Sequence, residues 1–503
     1  MEGPGVGVRR NRSGRSLSSA GEPAASHAGA EASPAKAGPF HARLREVRGE
    51  HGRFERGGWR HDGNFRRILA WPAGSAKLAQ TRARRPEPNA RERARLSALC
   101  ANDVVRTAAA CAAEVGTPFH LVGGAVRDAL LGRATGDLDG VVGGGLDRVA
   151  AALSRRLGGR AIRLGGDRFA AVRVVAAAGS LDIWDRGSTP LADDLWRRDL
   201  ALNAMALEPL SESLADPAGG LNDLRLGLLR ATRPGVFRED PLRVLRLARL
   251  RAELPGFEVD ATTRADARSA ARGLARVAAE RIREELLRLL AAPDAEGGLA
   301  LLAACGAESL FGETSAARVA AAAKEIAQLR TALARLPPLG LSPERTVSVR
   351  LALLAGALGG SAACGRTLLA ALVTRRWLPS GLAREATRIL EETGPPRDLR
   401  EARRFLHRTG ELWAAAAARF AALPEAWEVD LARLAELEAS AGADLRRARP
   451  LLGGEEIGRL TGAAPGPELG RWIARLRRAE VDGEVTSAEE GRAWLLARAG
   501  RGS

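Results

Sequence analysis

The sequence predicts a mixed α/β head followed by an all-helical remainder. Two features of the apolar pattern carry this. Between residues 104 and 184, short apolar runs of strand length alternate with amphipathic stretches of helical period. From Pro241 onward, apolar positions recur at three- and four-residue steps, punctuated by Pro and Gly clusters. A third feature lies inside the first part: two aspartates two positions apart, Asp137 and Asp139.

The elements follow in order. Residues 104–115 read as an amphipathic helix, and residues 119–122 as a short strand running into Gly123-Gly124. Residues 125–131 are helical and stop at Gly132. Residues 138–142 form a second strand, and 146–157 a helix closed by Gly158-Gly159. Residues 168–175 and 181–184 read as two strands around an Ala-Gly-Ser turn at 178–180. Helices are expected near 242–254, 279–290, 368–373, 400–406 and 431–437, with breaks at 336–341 and 394–397.

Composition narrows the function classes. The 503 residues carry a formal charge of +17, of which +11 belongs to residues 1–95. That stretch is rich in Gly, Ser, Pro, Ala and Arg and holds neither period, so it is expected to be a disordered basic extension. It is either a plain flexible tail or an arm that touches nucleic acid. The remainder is mildly basic, which favours a phosphate-rich partner without naming one. No apolar run reaches membrane-spanning length, and no apolar stretch follows the N-terminal arginines; neither a membrane span nor a secretory signal is expected. The four cysteines lack C-x-x-C spacing, which argues against zinc and disulfides and fits a reducing cytoplasm.

The densest chemistry lies between Leu121 and Asp139. In a strand, residues two apart share a face, so Asp137 and Asp139 would present two carboxylates side by side. Like charges repel, more so when buried, and a divalent cation with hard oxygen ligands relieves the conflict. Asp182, on the strand after the hairpin turn, is a third carboxylate able to face them. Taken alone, a D-x-D pair is more often a pair of solvated turn residues. Gly123-Gly124 sits between a strand and a helix, where backbone N–H groups can approach a phosphate, although an ordinary turn looks the same.

The order of the pieces is more specific than any one of them. Gly123-Gly124-Ala125-Val126-Arg127-Asp128 with Asp137-Leu138-Asp139, then residues 197–206, 216–224, 238–246 and 281–290, resemble the five successive motifs of the class II tRNA nucleotidyltransferase and bacterial poly(A) polymerase family. That family lies within the polymerase-β-like superfamily. The resemblance implies a nucleotidyltransferase head at 100–235 with a mixed polymerase-β-like sheet. It implies a helical neck at 236–295, a body at 296–440 and a tRNA-binding tail at 441–503. It implies a cytoplasmic enzyme that adds C and A residues from CTP and ATP to the tRNA 3′ end, by two-metal nucleotidyl transfer with Mg²⁺ and no nucleic-acid template.

Site residues follow from the same resemblance. Asp137, Asp139 and Asp182 would be catalytic and hold the metal. Gly123, Gly124 and Arg127 would lie against the triphosphate, and Arg198, Asp199 and Asn203 would hold the nucleotide. Asp240 and Arg243 would read the base: an acceptor beside a donor matches the amine and ring nitrogen of cytosine or adenine and rejects uracil and guanine. Arg246, one helical turn on, would touch phosphate or base. Without the resemblance, Asp240 before Pro241 reads as a helix start, and Arg198/Asp199 as a surface ion pair.

One departure bears on output. The segment between Asp182 and Arg198 is short. Full CCA-adding relatives carry a longer flexible loop there, and relatives restricted to adding CC resemble this shorter form. CC addition alone, poly(A) addition, and a catalytically inactive RNA binder therefore stand beside full CCA addition as alternatives.

Overall fold

The computed structural model describes residues 86–500 apart from 136, 165–170, 313, 336–340, 424–430 and 448. The expected extension up to residue 85, the first residues of the strand expected at 168, and most of the break at 336–341 lie outside the described residues. Residues 86–95 do not belong to an irregular extension. Asn89 accepts the Glu92 N–H at 3.0 Å and its own N–H donates to the Glu92 carboxylate at 2.7 Å. This capping box starts the helix Ala90–Cys100, which buries Leu96 and Leu99. The polar composition of the stretch had concealed the cap.

The head is built on a seven-stranded sheet. Its strands are β1 (Phe119–Val122), β2 (Leu138–Val142), β3 (Arg160–Leu164), β4 (Ala171–Ala176), β5 (Gly179–Asp185), β6 (Ala206–Glu208) and β7 (Ser213–Ala215). Their order is β3-β4-β5-β2-β1-β6-β7. The β2–β5 pair is parallel and every other pair in this sheet is antiparallel, so the sheet is mixed, as expected. Strands β3, β6 and β7 were not anticipated, being short or mostly exposed.

Strand alternation divides the two faces. Leu121, Val142, Val172, Val174, Leu181 and Ile183 are buried among the helices Asp103–Val115 and Leu146–Arg156, whose Val104, Val105, Val149 and Leu153 meet them. The residues between them in each strand point to the other face, which carries Arg173, Asp182 and Asp139. There a smaller apolar patch of Val122, Val141, Ala201 and Leu195 is covered by the helix Leu191–Trp196.

The remainder is helical, as expected. One buried apolar cluster runs without interruption from Leu96 through the helices Leu242–Glu253 and Ala279–Ala291 to Ala422. Two smaller clusters hold the C-terminal helices, one around Phe405, Phe420 and Val481 and one around Ile457, Leu476 and Leu495. Among the described residues no single helix is long and apolar enough to cross a membrane.

Replacing Asn89 with Ala removes one half of the capping box. It is expected to lower stability by about 1 kcal/mol in a urea titration. A loss near zero would detach Ala90–Cys100 from the cooperative fold.

Candidate active site

The turn after β1 has a geometry that only glycine tolerates. Gly123 has φ of +75°, and a Cβ there would lie 3.3 Å from an Arg198 guanidinium nitrogen and 3.6 Å from an Asp139 carboxylate oxygen. The backbone thus passes between a cation and an anion before entering the helix Gly124–Leu131. Arg127, one turn into that helix, is buried. It donates twice to Asp128 at 2.9 Å and once to the Asn203 side-chain oxygen at 2.7 Å.

Three strands bring the carboxylates together. Asp139 of β2 lies directly opposite Asp182 of β5 in the parallel pair, and Asp182 lies opposite Arg173 of β4. The three side chains stand in one row on one face. Burial first, then the charge of Asp182, push the Asp139 carboxyl up to about 6, with Asp137 adding to the effect and Arg198 and Arg173 opposing it. The expected arrangement differs in two respects. Asp137 does not share a strand with Asp139, because β2 begins at Leu138; it stands exposed just ahead of the strand. The Asp182 carboxylate is taken by Arg173, which donates to both oxygens at 2.7 Å. As the side chains stand, no three acidic, thiol or imidazole groups among the described residues converge on one point.

Asp137 and Asp139 open into a cavity of about 710 Å³ between the sheet and the helices Leu242–Glu253 and Ala279–Ala291. Gly123, Gly124, Arg127, Arg198, Asp199, Asn203, Arg243 and Arg246 also line it. The structure therefore gathers residues up to 123 positions apart in sequence. Asp182 and Asp240 are not on the wall. Asp240 is held by Arg281 at 2.6 Å and accepts the Leu242 N–H at 3.2 Å, so it starts a helix and closes an ion pair. Arg243 spends two N–H groups on the carbonyls of Val236 and Arg197, at 3.0 and 2.8 Å. The acceptor–donor pair expected of Asp240 and Arg243 is not formed in this arrangement. Asp199 is buried rather than part of a surface pair. Its burial would raise the carboxyl, but the Arg246 charge and the bonds from Asn203 and the Leu200 N–H hold it below the usual range.

The sequence reading missed an ion ladder on the far wall. Arg246 reaches Asp199 at 3.4 Å and Glu285 at 3.1 Å; Arg249 reaches Glu285 at 2.6 Å and Glu253 at 2.7 Å. Arg288 closes the row at 3.6 Å from Glu253. Burial opposes the charge on Arg246, and the two carboxylates more than restore it. A signal was available: Arg246, Arg249 and Glu253 fall at helical spacing on one face of Leu242–Glu253, and Glu285 and Arg288 do so on Ala279–Ala291. Arg198 completes the wall. Its Nε is buried and has no hydrogen-bond partner among the described residues, and its guanidinium lies 3.4 Å from Asp194.

Comparison with known proteins identifies the family and the fold. The Poly A polymerase head domain family matches residues 119–230, and the probable RNA and SrmB-binding site of polymerase A matches residues 256–317. The chain is 32% identical to the CC-adding tRNA nucleotidyltransferase of Geobacter sulfurreducens over 397 residues, covering 74% of this chain and 90% of that one. It is 34% identical to the protein of the same description from Thermus thermophilus, covering 75% and 92%. Among solved structures, the Bacillus stearothermophilus CCA-adding enzyme in complex with CTP superposes with a TM-score of 0.62 at 28% identity, over 79% of this chain and 98% of that one.

The raised Asp139 carboxyl makes stability depend on pH. Its pKa is 3.8 in the unfolded reference and about 6 here, so its contribution is present below about pH 4 and is lost as pH climbs through 6. In chelator, Asp139→Asn should match the native chain at pH 4 and exceed it by ~3 kcal/mol at pH 8 in urea unfolding. A difference that does not change with pH would remove the charge conflict from this site.

Proposed function

The chain belongs to the tRNA nucleotidyltransferase and poly(A) polymerase family of nucleotidyltransferases, and on that footing we propose that it extends the 3′ end of tRNA with C residues from CTP. One observation carries the reading: Asp139 is half-buried opposite Asp182, next to Asp137, on the wall of a cavity that eight arginines also line.

The residues fit a divalent cation. Asp139 cannot ionise freely beside two other acids, and a hard cation such as Mg²⁺ supplies the missing positive charge. Asp137 and Asp139 would hold it, with Asp182 joining after release from Arg173. A cation held there would supply positive charge to an attacking hydroxyl and to a triphosphate. The chain's own part is positioning. The Gly123-Gly124 backbone at the start of a helix and the Arg198 guanidinium, which has an unused donor, receive the triphosphate. Arg127 does not stand free; it locks Asn203, which in turn donates to Asp199 at 3.2 Å. Asp199 accepts from the nucleotide ribose only in exchange for its contact with Arg246. Arg243 offers a donor to the base, and Asp240 supplies the acceptor once it leaves Arg281. Cytosine and adenine both satisfy that pair, so output depends on a further element.

That element favours CC over CCA. The segment joining β5 to Arg198 is not a free loop. Leu195 is fully buried, and Leu191 and Trp196 pack on the patch of Val122 and Val141. The Geobacter sulfurreducens and Thermus thermophilus relatives, 32% and 34% identical, are described as CC-adding, whereas the Bacillus stearothermophilus neighbour, 28% identical, is described as CCA-adding. We read the pinned segment as too short and too well packed to reshape the site for ATP.

Extension of a tRNA transcript lacking CCA tests this directly. With CTP and ATP together, products should stop after two C residues, and Asp139→Ala should slow incorporation by about 10³-fold or more while tRNA affinity stays close to native. A terminal A would establish full CCA addition, and long A tails poly(A) addition. No incorporation by the native chain with Mg²⁺ would overturn the enzymatic reading.

A further inference from the structure

Arg173 is the one cation in the row formed by β4, β5 and β2. Adjacent strands lie roughly 4.8 Å apart, so Arg173, Asp182 and Asp139 stand as successive rungs on one face. Its guanidinium takes both oxygens of Asp182 in a two-pronged bond, at 2.7 Å each. Arg173 is half-exposed, while the Asp182 side chain is 16% exposed. The charge of Arg173 also reaches Asp139 and Asp137. An ordinary cross-strand pair stabilises a sheet modestly and touches nothing else. Here the same bond occupies one carboxylate of the acidic group, and Asp182 is not among the residues that line the cavity.

We propose that Arg173 is a positioning residue that keeps Asp182 in reserve. Its guanidinium occupies the carboxylate that a divalent cation at Asp139 would otherwise share, so the cation must displace it. The inference rests on the reading of Asp139 as a metal-holding carboxylate. Two consequences follow from charge alone. The site binds a cation less tightly than its acids would allow, and without a cation it is less repulsive than three bare carboxylates would be.

The test is Mn²⁺ binding to the full chain, followed by electron paramagnetic resonance of free Mn²⁺, with no nucleotide or tRNA present. Arg173→Gln should tighten Mn²⁺ binding roughly three- to ten-fold. It should also lower the melting temperature in chelator, with the deficit closing as Mn²⁺ saturates. Arg173→Lys keeps the charge but not the fork, and should fall between Gln and native. In an Asp182→Asn background, Arg173→Gln should tighten Mn²⁺ binding by clearly less, since only its longer-range charge on Asp139 and Asp137 is then removed. Affinity unchanged or weakened by Arg173→Gln alone would overturn the inference, as would an equal gain in the Asp182→Asn background. Asp139→Ala serves as the separate control. If it binds Mn²⁺ as the native chain does, the metal reading of the site fails, whatever Arg173 does.

Discussion

Two carboxylates facing each other across neighbouring parallel strands are the constraint on which the rest of this molecule depends. Asp139 and Asp182 are direct partners in the one parallel pair that the seven-stranded sheet shows among the described residues. Burial makes their repulsion expensive, and Asp139 responds with a carboxyl raised to about 6. The surroundings answer with positive charge at short range. Arg173 closes on Asp182 from one side, and Arg198 approaches Asp139 from the other, with Gly123 leaving room between them. The fold supports this through strand alternation: one face of the sheet is buried against helices, which leaves the other free to carry the charges.

A second layer of charge fixes the helices against the head. The ladder from Asp199 through Arg246, Glu285 and Arg249 to Glu253 joins the sheet's connecting segment to two helices more than 40 residues further on. Arg249 and Glu285 are buried, so each would be costly without the other. The ladder gives the cavity a wall of fixed shape, which is what selection among nucleotides requires. The family supplies the reaction; these contacts supply the geometry in which this chain would perform it.

Much of this was legible in the sequence wherever the signal was local. The strand–glycine–helix passage at 119–131, the strand holding Asp139 and the helices after Pro241 follow from periodicity. Residues from the first, second, fourth and fifth of the ordered motifs meet in one cavity; the segment 216–224 does not reach it. What was not legible depends on register or on distant partners. The strand start at Leu138, which sets Asp137 apart, is a boundary effect of one residue. The Arg173–Asp182 bond exists because β4 pairs with β5 in one register out of several. The helix-start role of Asp240 was readable from the following Pro241, but its ion pair with Arg281, 41 residues away, has no local trace. Asn89 was hidden for the opposite reason: a compact capping signal inside a stretch whose bulk composition reads as irregular.

The account turns on where a divalent cation goes. Crystals of the chain with Mn²⁺ and CTP, read by anomalous scattering, would locate it. The account predicts an ion directly bound to the Asp139 carboxylate inside the cavity, with the triphosphate on the side of Gly123 and Arg198. An ion bound elsewhere, with Asp139 making no contact to it, would contradict the account.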